Sequence, residues 1–318
     1  MPLHLLRFQH QQNTHWGIQQ GDFVKPLNIP CTTTSELIQL GYSQIEKLSH
    51  ETETSLNMSD VVLLSPITRD GKVLCQGANY RQHMIDSGLD PDAQNYNMFF
   101  TKSAASIHHP VGEIVRPRDV QLLDYEVELT LVLGQRTDRA ENITNENLHQ
   151  YVAGICIGND VSARDIQIPQ MQFHKGKSYR TFCPLGPVLC LLDKKDMQQL
   201  NQLQLTLKVN NEIRQQDHTA NLVFKPAETL SEYSRIADFN PGDVLMTGTP
   251  SGCALGLPSP LLIRVAALLP EKKKWQLFIK KQLARPFYLQ LGDVVESSIQ
   301  SDDGQINLGV QHHQVISE

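Results

Sequence analysis

Two glutamates, two residues apart in a β-rich stretch, are the side chains in this sequence best suited to chemistry. The stretch runs from Leu122 to Gly134 and contains Glu126 and Glu128. Residues i and i+2 of a strand point to the same face, so the two carboxylates should project together. Like charges side by side destabilise a sheet face, and a buried charge needs a partner or a metal. The spacing predicts a cation between them; the alternative is an exposed edge strand with solvated acids.

A third acid, Asp160, is a candidate ligand for the same cation. It follows the apolar stretch 152–159, which is typical of a strand, and would point from the strand end into a shared pocket. The alternative is that Asp160 is the N-cap of the helix that follows. Carboxylate oxygens favour Mg²⁺, Mn²⁺ or Ca²⁺ over zinc, which prefers histidine and cysteine ligands.

His83 and Asp86 form a second candidate group. On a helix they would be i and i+3 neighbours on one face. An acid beside an imidazole orients the ring and raises its basicity, as a general base that activates water requires. The alternative is an ordinary surface pair. The next segment, 87–96, is rich in Gly, Asp, Pro and Asn and is predicted to be a mobile lid.

Lys177 lies in a stretch that contains the end of a phosphate-binding loop signature. The full signature needs a glycine five residues before Gly176, and residue 171 is methionine, which excludes that loop. Lys177 keeps another role, as an ammonium group in a partly dry pocket that polarises a substrate oxygen. Further along, the Gly- and Thr-rich turn 247–252 offers N–H and hydroxyl groups to a small anion such as a carboxylate.

These side chains must be positioned by a mixed α/β, β-rich fold. We predict a small N-terminal α+β domain over residues 1–70, a larger catalytic domain over 71–318, and an insertion at about 257–290. Lysines cluster in the insertion around Trp275 and Phe278, and a solvated hairpin is predicted there in preference to a nucleic-acid or membrane patch. Apolar periodicity predicts helices at 34–48, 143–151 and 226–236.

Composition limits the classes of partner. The chain has 318 residues and a formal net charge of −6, which gives no positive field for nucleic acid or an anionic membrane. The first residues lack a signal peptide, and no segment approaches the ~18 consecutive apolar residues that span a bilayer. Six scattered cysteines without a C-x-x-C pair indicate reduced thiols, so we expect a cytoplasmic protein without disulfides.

Taken together, these motifs resemble the fumarylacetoacetate hydrolase family, whose members are metal-dependent enzymes acting on 2-oxo or 2,4-dioxo acids. The resemblance covers about residues 72–256 and follows the family order. The matching motifs are Gly77-x-Asn79-Tyr80-x-x-His83, Phe100-x-Lys102, Asp124-Tyr125-Glu126-x-Glu128-Leu129, Asn159-Asp160-x-Ser162-Ala163-Arg164-Asp165-x-Gln167, Gly176-Lys177-Ser178, Cys183-Pro184-Leu185-Gly186-Pro187 and Thr247-Gly248-Thr249-Pro250-Ser251-Gly252.

The resemblance implies a rolled mixed β-sheet core, a homodimer, and Mg²⁺ or Mn²⁺ chelated by the carboxylate and 2-oxo groups of a small 2-oxo or 2,4-dioxo acid, with Ca²⁺ as a further candidate. The residues it implies are Glu126, Glu128 and Asp160 as metal ligands, His83, Asp86 and Lys177 as catalytic groups, and Arg164, Gln167 and Thr249 as substrate contacts.

The resemblance predicts a hydrolase that cleaves a C–C bond in acylpyruvate- or fumarylacetoacetate-like acids through a water activated by His83. The alternative is an isomerase or decarboxylase of 2-hydroxy-2,4-dienedioates or 2-oxo acids in the degradation of aromatic compounds. A catalytically silent binding protein is a third hypothesis, and three intact acidic ligands argue against it. The chain departs from the family pattern at Gln76, Asp86, Arg180 and the insertion after Gly256.

Overall fold

The structure is a computed structural model that describes residues 1–51, 54–93, 96–256, 266 and 268–318. Its strands are β1 (Leu3–His10), β2 (Asn13–Gln20), β3 (Phe23–Pro26), β4 (Leu56–Asn57), β5 (Val62–Leu64), β6 (Val73–Gly77), β7 (Met98–Lys102), β8 (Ile107–His108), β9 (Val111–Arg116), β10 (Leu123–Asp124), β11 (Val127–Leu133), β12 (Val152–Asn159), β13 (Ser162–Ala163), β14 (Cys183–Pro184), β15 (Val188–Leu191), β16 (Leu203–Val209), β17 (Glu212–His218), β18 (Val244–Met246), β19 (Val294–Ser301) and β20 (Asn307–Ser317). Its helices are α1 (Thr34–Leu40), α2 (Tyr42–Glu51), α3 (Arg81–Asp86), α4 (Leu148–Tyr151), α5 (Arg164–Gln170), α6 (Phe173–Lys177), α7 (Pro226–Tyr233) and α8 (Glu271–Leu283).

A sheet of eleven strands runs through the molecule. Ten of them follow the order β4-β3-β2-β1-β15-β12-β11-β18-β6-β7, and β5 pairs with β1. Most pairs are antiparallel, whereas β18 and β6 are parallel, so the predicted mixed, β-rich α/β class is confirmed. Strand β1 pairs with β15, with Leu5 opposite Leu189. The N-terminal strands thus continue the large sheet, and the domain boundary near residue 70 stays a prediction.

Strand β11 lies inside this sheet, and all seven of its residues are buried. It pairs on one side with β12 and on the other with β18. A strand covered on both faces reads as a continuous apolar run, which explains the sequence Leu129–Leu133. The edge-strand alternative for Glu126 and Glu128 is excluded by this position.

A second sheet has the order β17-β16-β19-β20-β9. Alternate residues of β16 are buried, as expected of a strand with one face on the core. The turn between β16 and β17 has Asn210 and Asn211 at φ 52° and 66°. Two residues with positive φ match the twist of paired strands, so the Asn-Asn dipeptide forms the turn of a β-hairpin.

Several predicted helices are shorter than their apolar periodicity indicated. The helix predicted over 34–48 is divided into α1 and α2 by Gly41, whose φ of 79° is incompatible with a continuous helix. The helix predicted over 143–151 is reduced to α4, because the Asn147 side chain accepts from the Thr144 backbone and forms a local turn. The helix predicted over 226–236 ends at Tyr233.

The hairpin predicted within the insertion is wrong for its described part, which contains helix α8. The sequence EKKKWQLFIKKQL is composed mainly of good helix formers, and the rings of Trp275 and Phe278 are in contact three residues apart, with centroids 5.9 Å apart. Residues 257–265 and 267 lie outside the described residues, as do residues 52–53 and residues 94–95 of the predicted lid. Among the helices described, none has the length and apolar character to cross a membrane.

Candidate metal and substrate site

The three predicted metal ligands meet at one end of the β11–β12 pair. Val127 lies opposite Asn159 in the ladder, and the Asp160 N–H donates to the Glu126 carbonyl at 2.8 Å. This pairing brings carboxylate oxygens of Glu126, Glu128 and Asp160 within 4.8 Å of one another. All three side chains are buried. Asp160 is not an N-cap, because α5 begins only at Arg164, after Ala163.

Three cations pair with this carboxylate cluster. The Lys177 ammonium donates to Glu126, to Asp160 and to the Ser162 hydroxyl, the last at 2.8 Å. Lys102, on β7, donates to Asp160. Burial alone would lower the pKa of Lys177, but the charges of Asp160 and Glu126 raise it above its ordinary value, so this side chain is a fixed cation.

Arg164 connects the cluster to a fourth carboxylate. Its Nε donates to Asp124 at 2.8 Å, one terminal nitrogen donates to Glu126, and the other donates to Gln167 at 2.8 Å. The predicted substrate contacts Arg164 and Gln167 are therefore bound to each other. Each of the three guanidinium nitrogens of Arg164 donates to an acceptor of this chain, which fixes the guanidinium in place.

Glu128 is the member of the cluster without a cationic partner. It accepts the Gly248 backbone N–H at 2.8 Å, and burial followed by the charges of Asp160 and Glu126 raises its pKa well above the ordinary value. By contrast, Arg164 and Lys177 outweigh burial and lower the pKa of Glu126. When Glu128 is ionised, the four carboxylates exceed the three cations by one negative charge. An all-oxygen donor set with excess negative charge fits a hard divalent cation.

Metal binding should release protons, because Glu128 is protonated at a pH where an ordinary glutamate is ionised. A divalent cation stabilises the charged form, so binding expels the proton, and fewer protons are released as the pH rises through the raised pKa. Calorimetric titration with Mg²⁺ in two buffers of different ionisation enthalpy measures this number. Identical heats in both buffers at every pH would contradict the assignment of the raised pKa.

His83 faces the carboxylate cluster across a cavity of about 220 Å³. It lies on α3 and is half-buried, and burial lowers its pKa, so the imidazole is neutral at neutral pH. Asp86 is exposed and accepts from Gln82 at 2.8 Å and from the Ser251 hydroxyl. The structure gives no hydrogen bond between His83 and Asp86. Of the two residues, His83 lines the cavity beside the carboxylate cluster, whereas Asp86 binds Gln82 and Ser251 outside the lining of that cavity.

The turn 247–252 serves the site through groups that are already engaged. The Gly248 N–H binds Glu128, and the Thr249 hydroxyl donates to the Val127 carbonyl at 2.9 Å while accepting from Gln215 at 2.8 Å. Thr249 does line the cavity, but its hydroxyl is occupied by this chain. In this structure, the anion that the turn holds is the protein's own glutamate.

Two members of the charged cluster, Lys102 and Asp124, belong to the matching sequence motifs, but no role was predicted for them. Asp124 precedes Glu126 by two residues, so the same alternation that paired the glutamates was the signal for it. Lys102 had no local signal, because it reaches Asp160 from another strand. Gln76 is buried and donates to Asn97 and Thr229, and Arg180 is exposed away from the cavity lining.

Comparison with known proteins agrees with this geometry. Residues 72–316 match the family model "Fumarylacetoacetate (FAA) hydrolase C-terminal". The oxaloacetate tautomerase YisK of Bacillus subtilis is 36% identical over 211 residues, 65% of this chain and 68% of that protein. The mitochondrial oxaloacetate tautomerase FAHD2A of Homo sapiens is 31% identical over 275 residues, 83% and 85% of the two chains. The crystal structure of a fumarylacetoacetate hydrolase from Exiguobacterium antarcticum superposes with a TM-score of 0.76 at 28% identity, covering 99% of this chain and 100% of that chain.

Proposed function

Since this chain belongs to the fumarylacetoacetate hydrolase family, we propose that it is a metal-dependent isomerase that interconverts the enol and keto forms of 2-oxo acids, with oxaloacetate as the first substrate to test. Glu126, Glu128 and Asp160 would hold Mg²⁺ or Mn²⁺. The relatives described as oxaloacetate tautomerases support the reaction class. The observation that carries the proposal is that His83 faces the carboxylate cluster and that, among the residues the structure describes, no acid is hydrogen-bonded to it.

Hydrolysis and isomerisation make different demands on His83. To hydrolyse a C–C bond, a base must activate a water, and a carboxylate that orients the imidazole and stabilises its charged form helps that step. Isomerisation moves one proton between the 2-oxygen and C3 of the same molecule and consumes no water. A neutral imidazole with no bound carboxylate suits the second task better. The comparisons likewise favour an isomerase over the hydrolase predicted from the sequence.

The residues of this chain divide the work of such a proton transfer. The bound divalent ion would supply Lewis-acid stabilisation of negative charge on the 2-oxygen. The cluster with its ion would carry one net positive charge, which favours an anionic substrate. Lys177 is a fixed cation at the cavity wall, and although its three N–H groups bind Glu126, Asp160 and Ser162, its positive charge can stabilise negative charge on that oxygen. Neutral His83 takes the enol hydroxyl proton and delivers it to C3, so no proton is gained or lost overall.

The decisive experiment compares the two reactions in one preparation. The decay of the enol absorbance of oxaloacetate is followed with Mg²⁺, with Mn²⁺ and with EDTA, in parallel with the release of pyruvate from acetylpyruvate. We expect the divalent metal to accelerate the enol decay of oxaloacetate, and we expect the rate of this decay to exceed the rate of acetylpyruvate cleavage. Metal-dependent cleavage of acetylpyruvate without accelerated enol decay would restore the hydrolase hypothesis.

A cytoplasmic location, a homodimer and a role in aromatic degradation stay predictions.

His83→Gln should lower kcat for enol decay by about 10²-fold, the usual contribution of a general base, with unchanged metal affinity. Because burial lowers the pKa of His83, the acid limb of the wild-type pH profile should lie below the ordinary histidine value of about 6.5. A divalent ion bound at the carboxylate cluster would lower the pKa of His83 further. Activity should fall as the pH decreases and His83 becomes protonated.

The control is Asp86→Asn, which should change kcat by less than about threefold, because Asp86 binds Gln82 and Ser251 rather than His83. Equal losses in the two variants would show that the two side chains act as a pair, as the hydrolase hypothesis requires.

A further inference from the structure

A second and larger cavity, of about 520 Å³, lies directly outside the carboxylate site. His83, Ser87, Arg164 and Leu255 line both cavities. The two spaces therefore share a wall that contains the proposed base. A substrate bound at the carboxylate cluster would extend any further groups past this wall into the outer cavity.

The outer cavity is lined by two further arginines, Arg214 and Arg285. Arg285 follows helix α8, in the insertion, and its Nε donates to the Ala254 carbonyl at 3.0 Å. Among the described residues, its two terminal nitrogens have no hydrogen-bond partner. Arg214, on β17, uses one terminal nitrogen for Glu212 at 3.0 Å, and the Glu212 side chain is 73% exposed. An exposed partner of this kind contributes little, so Arg214 can exchange it for a ligand.

The two arginines contact the same aromatic ring. The guanidinium carbons of Arg214 and Arg285 lie 5.2 and 5.4 Å from the centroid of the Phe287 ring. Such cation–π contacts orient a guanidinium without using its hydrogen-bond donors. The donors stay available to a ligand, and a planar fork is the geometry that recognises a carboxylate.

Gly256 provides the space in which the Arg285 side chain lies. A Cβ at this position would come within 2.3 Å of Nη1 and 2.4 Å of Cζ of Arg285.

The charge balance of the cavity also favours an anion. Among its lining residues the only carboxylate is that of Asp86, which faces Ser251.

We propose that Arg285 and Arg214 form an outer anion site that binds the distal carboxylate of a 2-oxo dicarboxylate whose 2-oxo acid end occupies the Glu126–Glu128–Asp160 site. This inference rests on the proposed function and makes it narrower. Dicarboxylic 2-oxo acids are the substrates, and monocarboxylic 2-oxo acids of the same length bind more weakly. The insertion, which supplies Arg285 and Phe287, is then a determinant of substrate choice.

Binding without turnover tests this inference separately from the reaction. The probes are 2-oxoglutarate and 2-oxopentanoate, which share a five-carbon chain and differ in the distal carboxylate. Their dissociation constants are measured by calorimetry with Mg²⁺ for the wild type, Arg285→Gln, Arg285→Lys and the control Lys281→Gln. Lys281 is an exposed cation of α8 outside the cavity lining. The same variants are assayed for the KM of oxaloacetate.

We expect wild-type protein to bind 2-oxoglutarate about tenfold or more tightly than 2-oxopentanoate, the usual effect of a charged hydrogen-bonded pair. Arg285→Gln should remove this preference by weakening 2-oxoglutarate alone and should raise the KM of oxaloacetate by a similar factor. Arg285→Lys should retain part of the preference for 2-oxoglutarate. Lys281→Gln should have the same affinities and the same KM of oxaloacetate as the wild type.

Equal affinities of the two acids in the wild type, or equal weakening of both in Arg285→Gln, would overturn the outer anion site. That result leaves the proposed function standing if enol decay is still accelerated. A retained preference for 2-oxoglutarate without accelerated enol decay would overturn the proposed function and support the outer site. Failure of both acids to bind would overturn the outer anion site, and the enol-decay assay with oxaloacetate would then decide the proposed function by itself.

Discussion

Glu128→Gln is expected to abolish metal-dependent turnover while leaving the fold intact. Glu126 and Asp160 also hold Arg164, Lys102 and Lys177, so their substitution would break buried ion pairs. Glu128 forms no ion pair with a described residue. It accepts a hydrogen bond from the backbone N–H of Gly248, and a glutamine side-chain oxygen can accept the same bond. The variant therefore removes a metal ligand charge with little collateral change.

The expected loss is about 10³-fold in kcat at fixed metal concentration, because Lewis-acid stabilisation contributes several kcal/mol to reactions of this type. Metal affinity, measured by calorimetry with Mg²⁺ and Mn²⁺, should fall in parallel. Full activity with a correctly folded Glu128→Gln protein would remove the metal from the mechanism.

The same variant has a diagnostic effect on stability. A group whose folded pKa is raised stabilises the fold below its unfolded pKa, and this contribution is lost as the pH rises through the folded value. The pKa of Glu128 is raised by burial and by its acidic neighbours. Metal-free wild type should thus lose stability from about pH 5 upward, and Glu128→Gln should lose less. Denaturation in EDTA across this pH range measures the difference.

Lys177→Met is the second large-effect variant, and it should separate metal affinity from turnover. The lysine is almost fully buried and binds Glu126, Asp160 and Ser162. Removing it adds a second excess negative charge to the cluster. Metal-free protein should be destabilised by about 3–5 kcal/mol, the usual cost of breaking a buried ion pair. Added Mg²⁺ should bind more tightly than to wild type and recover part of this loss.

Turnover of Lys177→Met should nevertheless fall by about 10²- to 10³-fold, because a preorganised positive charge beside the developing negative charge is lost. The matched control is Lys175→Met, two residues earlier on α6, where the exposed ammonium binds the Gln170 side chain. It should behave like the wild type in stability, metal affinity and rate. Wild-type turnover in Lys177→Met would assign the lysine a purely structural role.

The cluster of candidate metal ligands could be predicted because its signals are local. Glu126 and Glu128 share a face through the two-residue period of a strand, and Asp160 follows a recognisable apolar strand. What joins them is the β11–β12 pairing, in which Val127 lies opposite Asn159. Apolar, turn-bounded strands specify such pairing well, which is why the core of the site followed from short motifs.

Other parts of the site depend on contacts that no local pattern encodes. Asp86 and His83 have the spacing of a helical pair, yet Asp86 binds Ser251, 165 residues away in sequence. Arg285 lies in the insertion, whose lysines suggested a solvated hairpin although its residue types favour the helix that forms. The continuation of the N-terminal strands into the large sheet likewise depends on β1 meeting β15.

The pairing of distant strands has a consequence for how the chain matures. Strand β1 pairs early with β2 and β5 but meets β15 only when residues 188–191 have been made, and β9 pairs with β20, at 307–317. Loop closure over such separations is slow and leaves strand edges open in the meantime. Strand β20 completes the five-stranded sheet. A nascent chain that stalls before β20 presents the unpaired edges of β9 and β19 to neighbouring polypeptides, so protection by chaperones is expected to matter most before this strand is made.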